Sequence, residues 1–158
     1  MQKIIVTGGL GFIGSNLIKI LLDKNYHVIN IDKVGYASNF YNVKNYVKNK
    51  NYKFIKCDIK NQIKILSILK KYKPKGLFNL AAETHVDRSI DGPKAFVENN
   101  INGMFSILEA TRKYSKINKN FRLLHVSTDE VYGDVIKSRS KEKDAYNPSS
   151  PYAASKAS

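Results

Sequence analysis

The chain has 158 residues, a single cysteine, 27 Lys plus Arg against 13 Asp plus Glu, and a formal net charge of +14. That length accommodates one domain with a core, no apolar run reaches the roughly 18 residues that span a membrane, and the opening MQKIIVTGG lacks the basic and apolar regions of a secretion signal, so a cytoplasmic protein is expected. The lone Cys57 excludes an internal disulfide and a thiolate metal site, and basic residues that include only four Arg, with Lys spread along the whole chain, favour a solvated surface over a nucleic-acid interface.

From the amino end, residues 2–7 (QKIIVT) form a short apolar run halted by Gly8 and Gly9, and residues 12–22 then place Ile13, Leu17, Ile20 and Leu21 at helical spacing. This predicts strand, glycine turn, helix. Residues 27–31 (HVINI) and 52–57 (YKFIKC) read as the second and third strands. Helical periodicity returns at Ile63, Leu66, Ile68 and Leu69, with Pro74 closing it ahead of a fourth strand over 76–82 (GLFNLAA). A longer pattern over 93–114 opens with Pro93 near a first helical turn and carries Ala95, Phe96, Ile101, Met104, Phe105 and Leu108. Residues 121–127 are the fifth strand, and 136–150 (IKSRSKEKDAYNPSS), polar and proline-containing, a mobile loop. Strands alternating with helices of about ten residues or more imply crossovers and a parallel sheet covered on both faces. The expected architecture is α/β, doubly wound, in one domain over 1–158.

The turn TGGLGFIG (residues 7–14) fits G-x-G-x-x-G through Gly9, Gly11 and Gly14, and G-x-x-G-x-x-G through Gly8, Gly11 and Gly14. Either pattern alone is weak. A preceding strand, a helix opening within the turn and Asp32 closing the next strand make it a dinucleotide site of Rossmann type. Glycines let the backbone approach a pyrophosphate, whose charge meets the amino end of the helix, while an acidic Asp32 accepts from a ribose diol. The same carboxylate repels a 2′-phosphate, so NAD is expected over NADP, although Lys33 next door opposes that preference. Asp58, at the close of the third strand, has two readings: a contact to the adenine, or the N-cap of the helix that follows.

Tyr152 and Lys156 lie four apart behind Pro148 and Pro151, and a helix starting near Pro151 puts both on one face. A Lys ammonium beside a phenol lowers its pKa from about 10, as does a positive nicotinamide ring, which makes Tyr152 a base for a hydroxyl proton. Y-x-x-x-K is frequent by chance in a chain rich in Tyr and Lys; its weight comes from lying downstream of the turn and of STDEVYGD. That stretch (127–134) sets two adjacent carboxylates, Asp129 and Glu130, where an apolar strand ends. In a doubly wound sheet the carboxyl ends of strands are where ligands bind.

In order and spacing, TGGLGFIG, AAETHVDRSIDGP, FVENNINGMFSILEATR, STDEVYGD and NPSSPYAASKAS resemble the extended short-chain dehydrogenase/reductases, and among them the dTDP-glucose 4,6-dehydratases, from end to end of the chain. The first and last motifs are shared with nucleotide-sugar epimerases, whereas AAETHVDRSI followed by STDEVYGD is far narrower. The resemblance implies an NAD-dependent lyase that converts dTDP-glucose to its 4-keto-6-deoxy form through transient oxidation at C4, in deoxysugar (dTDP-rhamnose type) and cell-surface polysaccharide biosynthesis. It also implies that Thr128 bonds the sugar 4-hydroxyl, Tyr152 takes its proton, and Lys156 holds the nicotinamide ribose and tunes Tyr152. Glu130 then removes the C5 proton while Asp129, protonated, donates to the departing 6-hydroxyl. Around the cofactor the resemblance puts Gly8, Gly11, Phe12, Ile13 and Gly14 at the turn. Asp32, Lys33, Tyr36 and Ala37 surround the adenosine ribose, Asp58 and Ile59 meet the adenine, and Leu80, Ala81, Ala82, Glu83 and Asn99 lie along the cofactor. Thr84 joins Thr128, Asp129 and Glu130 on the substrate. Read as sequence alone, Ala81 and Ala82 are equally ordinary core alanines, His85 is a structural hydrogen-bonder, and Ser127 on an extended strand points opposite to Thr128.

Asn99 stands where the family commonly has Thr, and Ser38 where it commonly has Gly, which bears on cofactor affinity. The sequence halts two residues past Lys156, whereas the family continues for roughly as many residues again with a smaller substrate-binding domain. The family also dimerises through the helix over 93–114 and the helix that starts near 151, so a homodimer is expected of the full-length enzyme. Residues 1–158 alone are expected to show little activity and to aggregate through uncovered sheet and helix surface. Three readings stay open: a 4,6-dehydratase whose chain is incomplete, another NAD-dependent nucleotide-sugar epimerase or dehydratase, and a truncated non-catalytic NAD-binding module. The Asp129–Glu130 pair favours the first over the second.

Overall fold

The structure, a computed structural model, describes residues 1–135 and 139–158. In chain order it holds β1 (Lys3–Thr7), α1 (Phe12–Asp23), β2 (His27–Asp32), β3 (Tyr52–Lys56), α2 (Gln62–Tyr72) and β4 (Gly76–Asn79). There follow α3 (Val86–Asp91), α4 (Lys94–Phe96), a π-helix (Val97–Asn102), α5 (Gly103–Ser115), β5 (Arg122–His125) and α6 (Pro151–Ala157), with 3-10 turns at Phe40–Val43 and Asp129–Tyr132. The loop expected over 136–150 begins on Ile136, Lys137 and Ser138, which lie outside the described residues. The chain divides into two compact units, one of Met1–Ala81 and Gly103–Val126, the other of Ala82–Asn102 and Ser127–Ser158.

The first unit is the parallel sheet, with strand order β3-β2-β1-β4-β5. Because β1 alternates its side chains, Ile4 and Val6 pack on one face with Ile18, Leu21 and Leu22 of α1, and Ile5 packs on the other with Ile65 and Leu69 of α2 and Ile107 and Tyr114 of α5. Cover on both faces is why KIIV and HVINI read as continuous apolar runs. Fully burying one such Ile contributes about 1.5–3 kcal/mol. The order reverses between β1 and β4, which pair with each other directly. A ligand crevice of a doubly wound sheet opens at such a reversal, beyond the strands' carboxyl ends.

Two helices present other faces than the apolar spacing suggests. In α1, Ile13 and Ile20 are 62% and 51% exposed, and the inward positions are Gly14, Ser15, Ile18, Leu21 and Leu22. The first turn of α1 lies so close to the glycine loop that only small residues fit inward. The pattern over 93–114 is interrupted by the π-helix, and in α5 Phe105 and Leu108 are exposed while Ser106, Ile107 and Ala110 are buried. The buried positions Phe96, Asn100, Gly103, Ile107, Ala110 and Tyr114 nevertheless recur at intervals of three and four, and the face turned inward carries small and polar residues that apolar spacing does not single out. β5 ends at His125, so Ser127 and Thr128 lie past the strand and its alternation does not set their directions.

The second unit is helical. Phe96 meets Tyr152 edge to face at 6.3 Å between ring centroids, and Tyr132 meets Tyr146 at 5.4 Å. Val131 is buried, with Asn147 donating its N–H to the Val131 carbonyl at 3.0 Å. Among the described residues no helix is long and apolar enough to cross a membrane.

Candidate active site

In the first unit, the Thr7 hydroxyl donates to Asn79 Oδ1 at 2.6 Å and accepts from the N–H groups of Leu80 and Ala81 at 3.2 and 3.3 Å, tying the end of β1 to the end of β4. Gly8 follows with φ +69°, and a Cβ on it would stand 2.9 Å from Ala81 Cα. A Cβ on Gly14 would run into the Gly8 carbonyl oxygen. Both positions therefore require glycine, one for backbone conformation as well as space, the other for space alone. Gly11 opens α1 as its N-cap and no side chain caps that helix, which leaves the positive end of the helix dipole without a side-chain acceptor. Phe12 and Ile13, at the start of α1, are exposed. Such a turn suits a diphosphate.

Asp32, at the end of β2, is buried. Its Oδ2 accepts from the Leu10 N–H at 3.1 Å, and its Oδ1 accepts from the Val34 N–H at 2.8 Å and from the Ser38 hydroxyl at 2.7 Å. Ser38 Oγ in turn accepts from the Gly35 N–H at 3.0 Å. Beside this loop a cleft of about 520 Å³ is lined by Lys33, Gly35, Lys56, Asp58, Asn61 and Lys64 among others. The alternative of Asp58 as a helix cap is corrected: Asn61 caps α2 by accepting from the Lys64 N–H at 3.0 Å, while Asp58 Oδ1 accepts from the Lys60 N–H at 2.9 Å. Asp58 also stands 3.8 Å from Lys60 Nζ. Ile59 is buried in the core, its side chain where a Cβ on Gly103 would sit, so it offers a ligand only backbone. Tyr36 and Ala37 are exposed, and Leu80 and Ala81 are half-buried just past β4.

The second unit gathers Thr128, Asp129, Glu130, Tyr152 and Lys156. Thr128 caps the 3-10 turn by accepting from the Glu130 N–H at 3.3 Å, and Asp129 Oδ1 lies 3.4 Å from its hydroxyl. The side chains of Thr128 and Tyr152 hydrogen-bond. Tyr152 is buried, and burial pushes its phenol above the ordinary value; the Thr128 bond opposes this, while the charges of Glu130 and Asp129 add to it. Lys156, one turn on in α6, is pushed below its ordinary value by burial. A phenol lowered by Lys156 is thus not what the structure shows, because desolvation and two carboxylates outweigh the stabilising bond.

The helix that carries Tyr152 and Lys156 is pinned by residues that spacing does not single out. Pro151 has no N–H to satisfy, Ser150 Oγ accepts from the Ala153 N–H at 3.0 Å, and Ser89 Oγ accepts from the Tyr152 N–H at 3.1 Å. Asn100 receives the Glu83 N–H at 2.8 Å and donates to the Glu83 carbonyl at 2.9 Å and to Ser155 Oγ at 2.8 Å. Two adjacent Asn inside the apolar pattern FVENNIN were the available signal. Asn99 is buried and donates to the Ala95 carbonyl at 2.8 Å and to Glu83 Oε1 at 3.3 Å. Ala82 and Glu83 are half-buried and Thr84 is exposed. His85 caps α3, its Nδ1 accepting from the Arg88 N–H at 3.5 Å, a structural role.

The family model described as GDP-mannose 4,6 dehydratase matches residues 5–158. The chain is 45% identical over 162 residues to a probable dTDP-glucose 4,6-dehydratase of Sinorhizobium fredii, covering 99% of this chain and 46% of that protein. It is similar to the crystal structure of dTDP-glucose 4,6-dehydratase from Streptomyces venezuelae with NAD bound, at a TM-score of 0.91 and 36% identity over 99% of this chain and 48% of that one. A UDP-glucose 4-epimerase of Thermus thermophilus in complex with NAD gives a TM-score of 0.85 and 31% identity over 99% and 48%. The chain therefore spans about half the length of the relatives it matches.

Proposed function

The chain belongs to the GDP-mannose 4,6 dehydratase family, and from that membership we propose that it carries the NAD-binding and catalytic segments of a 4,6-dehydratase acting on dTDP-glucose. The observation that carries this reading is the grouping of a hydroxyl, two exposed carboxylates and a buried phenol, in which Thr128 bonds Tyr152 and the charges of Glu130 and Asp129 act on the same phenol. An epimerase needs the hydroxyl and the phenol; a carboxylate pair beside them serves elimination of water.

The first unit fits a dinucleotide: the glycine loop has no room for a side chain at Gly8 or Gly14, the α1 terminus has no side-chain cap, and a carboxylate closes the next strand. Gly8, Gly11 and Gly14 with the start of α1 would hold the pyrophosphate, Asp32 and Lys33 the adenosine ribose, and Asp58 the adenine side. NAD, when bound, supplies the transient oxidation at sugar C4 and its reversal at C6. Thr128 would hold the 4-hydroxyl for Tyr152 to deprotonate. Tyr152 keeps its proton until positive charge offsets burial and the two carboxylates, and Lys156 is the cation that α6 provides. With C4 at the ketone level, Glu130 would take the C5 proton and Asp129 would protonate the leaving 6-hydroxyl.

We place the protein in the cytoplasm. A homodimer through the helix over 93–114 and the helix that starts near 151 is supported by Phe105 and Leu108, large apolar side chains left exposed on α5. The test of the function is product from dTDP-glucose, followed by mass as loss of one water, in the protein that carries this chain. Asp129→Asn and Glu130→Gln are expected to lower dehydration about 10²–10⁴-fold while oxidation at C4 persists. Normal dehydration by both variants would refute the assignment.

A further inference from the structure

Asp32 closes β2 where the sequence pattern sets an acidic group for the cofactor ribose, and its acceptor sites are largely occupied by the protein itself. A carboxylate has about four lone-pair sites, two on each oxygen. Oδ1 takes the Val34 N–H at 2.8 Å and the Ser38 hydroxyl at 2.7 Å and is filled; Oδ2 takes the Leu10 N–H at 3.1 Å and keeps one site. A ribose diol brings two O–H donors. Ser38 does not swing aside freely, because its Oγ is itself fixed by the Gly35 N–H at 3.0 Å. Ser38 lies within the same loop that lines the adjoining cleft through Lys33, Val34 and Gly35.

We propose that Ser38 is a specificity-determining residue at the adenosine end of the cofactor site: by occupying Asp32 Oδ1 it leaves the carboxylate able to recognise one ribose hydroxyl instead of two. The inference rests on the NAD reading above. Two consequences follow from the count of acceptor sites. NAD binds more weakly than Asp32 alone would allow, and one of the two adenosine-ribose hydroxyls contributes little to affinity. A side chain without the hydroxyl at position 38 returns a site on Oδ1 to the ligand, whereas Thr at that position keeps it filled.

The experiment is calorimetric titration of the protein that carries this chain, freed of bound cofactor, and of its Ser38→Ala and Ser38→Thr variants, with NAD and with its adenosine 2′-deoxy and 3′-deoxy analogues. Wild type and Ser38→Thr are expected to bind one of the two deoxy analogues within about twofold of NAD. In Ser38→Ala, NAD is expected to bind about tenfold more tightly and both deoxy analogues to fall about tenfold below it, as for one charge-assisted hydrogen bond. Equal losses for both analogues in wild type, or an unchanged pattern in Ser38→Ala, would overturn the role of Ser38 while leaving NAD binding intact. Absence of NAD binding by all three proteins, with the far-ultraviolet dichroism of a folded chain, would overturn the cofactor reading and this inference with it.

Discussion

At the scale of single residues, the chemistry turns on the protonation of Tyr152. Burial, Glu130 and Asp129 hold the phenol protonated, and only Thr128 favours the phenolate. A base with a raised pKa works better as pH rises, so the first oxidation should increase on the alkaline side. Replacing Glu130 by Gln removes an anion from beside the phenol, lowers its pKa, and should shift the rising limb of C4 oxidation to lower pH even as dehydration fails. Thr128→Val removes the bond that stabilises the phenolate and should shift the same limb to higher pH. Single-turnover oxidation across pH, followed by NADH absorbance, checks both. Coincident limbs in wild type and both variants would mean that Tyr152 does not titrate in that step. A merely structural role for Thr128 would lower the amplitude without moving the limb.

At the scale of elements, the pairing of β1 with β2 is pH-dependent at its amino end. Lys3 and His27 are register partners on β1 and β2, and His27 is lowered from its ordinary 6.5 first by burial and then by the Lys3 charge. The unfolded chain therefore binds a proton at a higher pH than the folded one, and stability present above about 6.5 is lost as pH falls through the folded value. The thermal midpoint should drop on acidification from about pH 7.5 to about 5.5, and by less in His27→Asn and Lys3→Gln. An equal drop in all three would remove His27 as a cause. The elements themselves were legible: strands at β1 to β4 and helices at α1, α2 and α6 fall where apolar runs, glycines and prolines put them. Side-chain facing was less so. Phe105 and Leu108 lie on the outer face of α5 while Gly103, Ser106 and Thr111 lie on the inner one, and a face lined by small and polar residues is not marked by hydrophobic periodicity. The candidate site divides the same way. Asp32 is found from its distance to the glycine turn, but the Ser38 bond is a loop contact, and Ser89 and Asn100 are buried polar residues recognisable only from what they bind.

At the scale of the whole chain, a net charge of +14 acts on anything anionic that approaches. With 27 basic residues against 13 acidic ones, 14 positive charges are in excess, and the excess acts as a field rather than as a set of ion pairs. Two effects of added salt then have opposite signs. Self-repulsion within the folded chain is screened, so the thermal midpoint should rise as sodium chloride goes from about 10 to about 150 mM, over which the Debye length shrinks from roughly 30 to 8 Å. Attraction of a phosphate-bearing ligand is screened too, so its association rate should fall several-fold over the same range. NADH carries one more net negative charge than NAD and should show the steeper fall, while dissociation rates change little. Stopped-flow quenching of tyrosine fluorescence at several salt concentrations separates the two rates. Association that ignores salt, or falls equally for NAD and NADH, would mean that the positive surface plays no part in gathering the cofactor and that the lysines serve solubility alone.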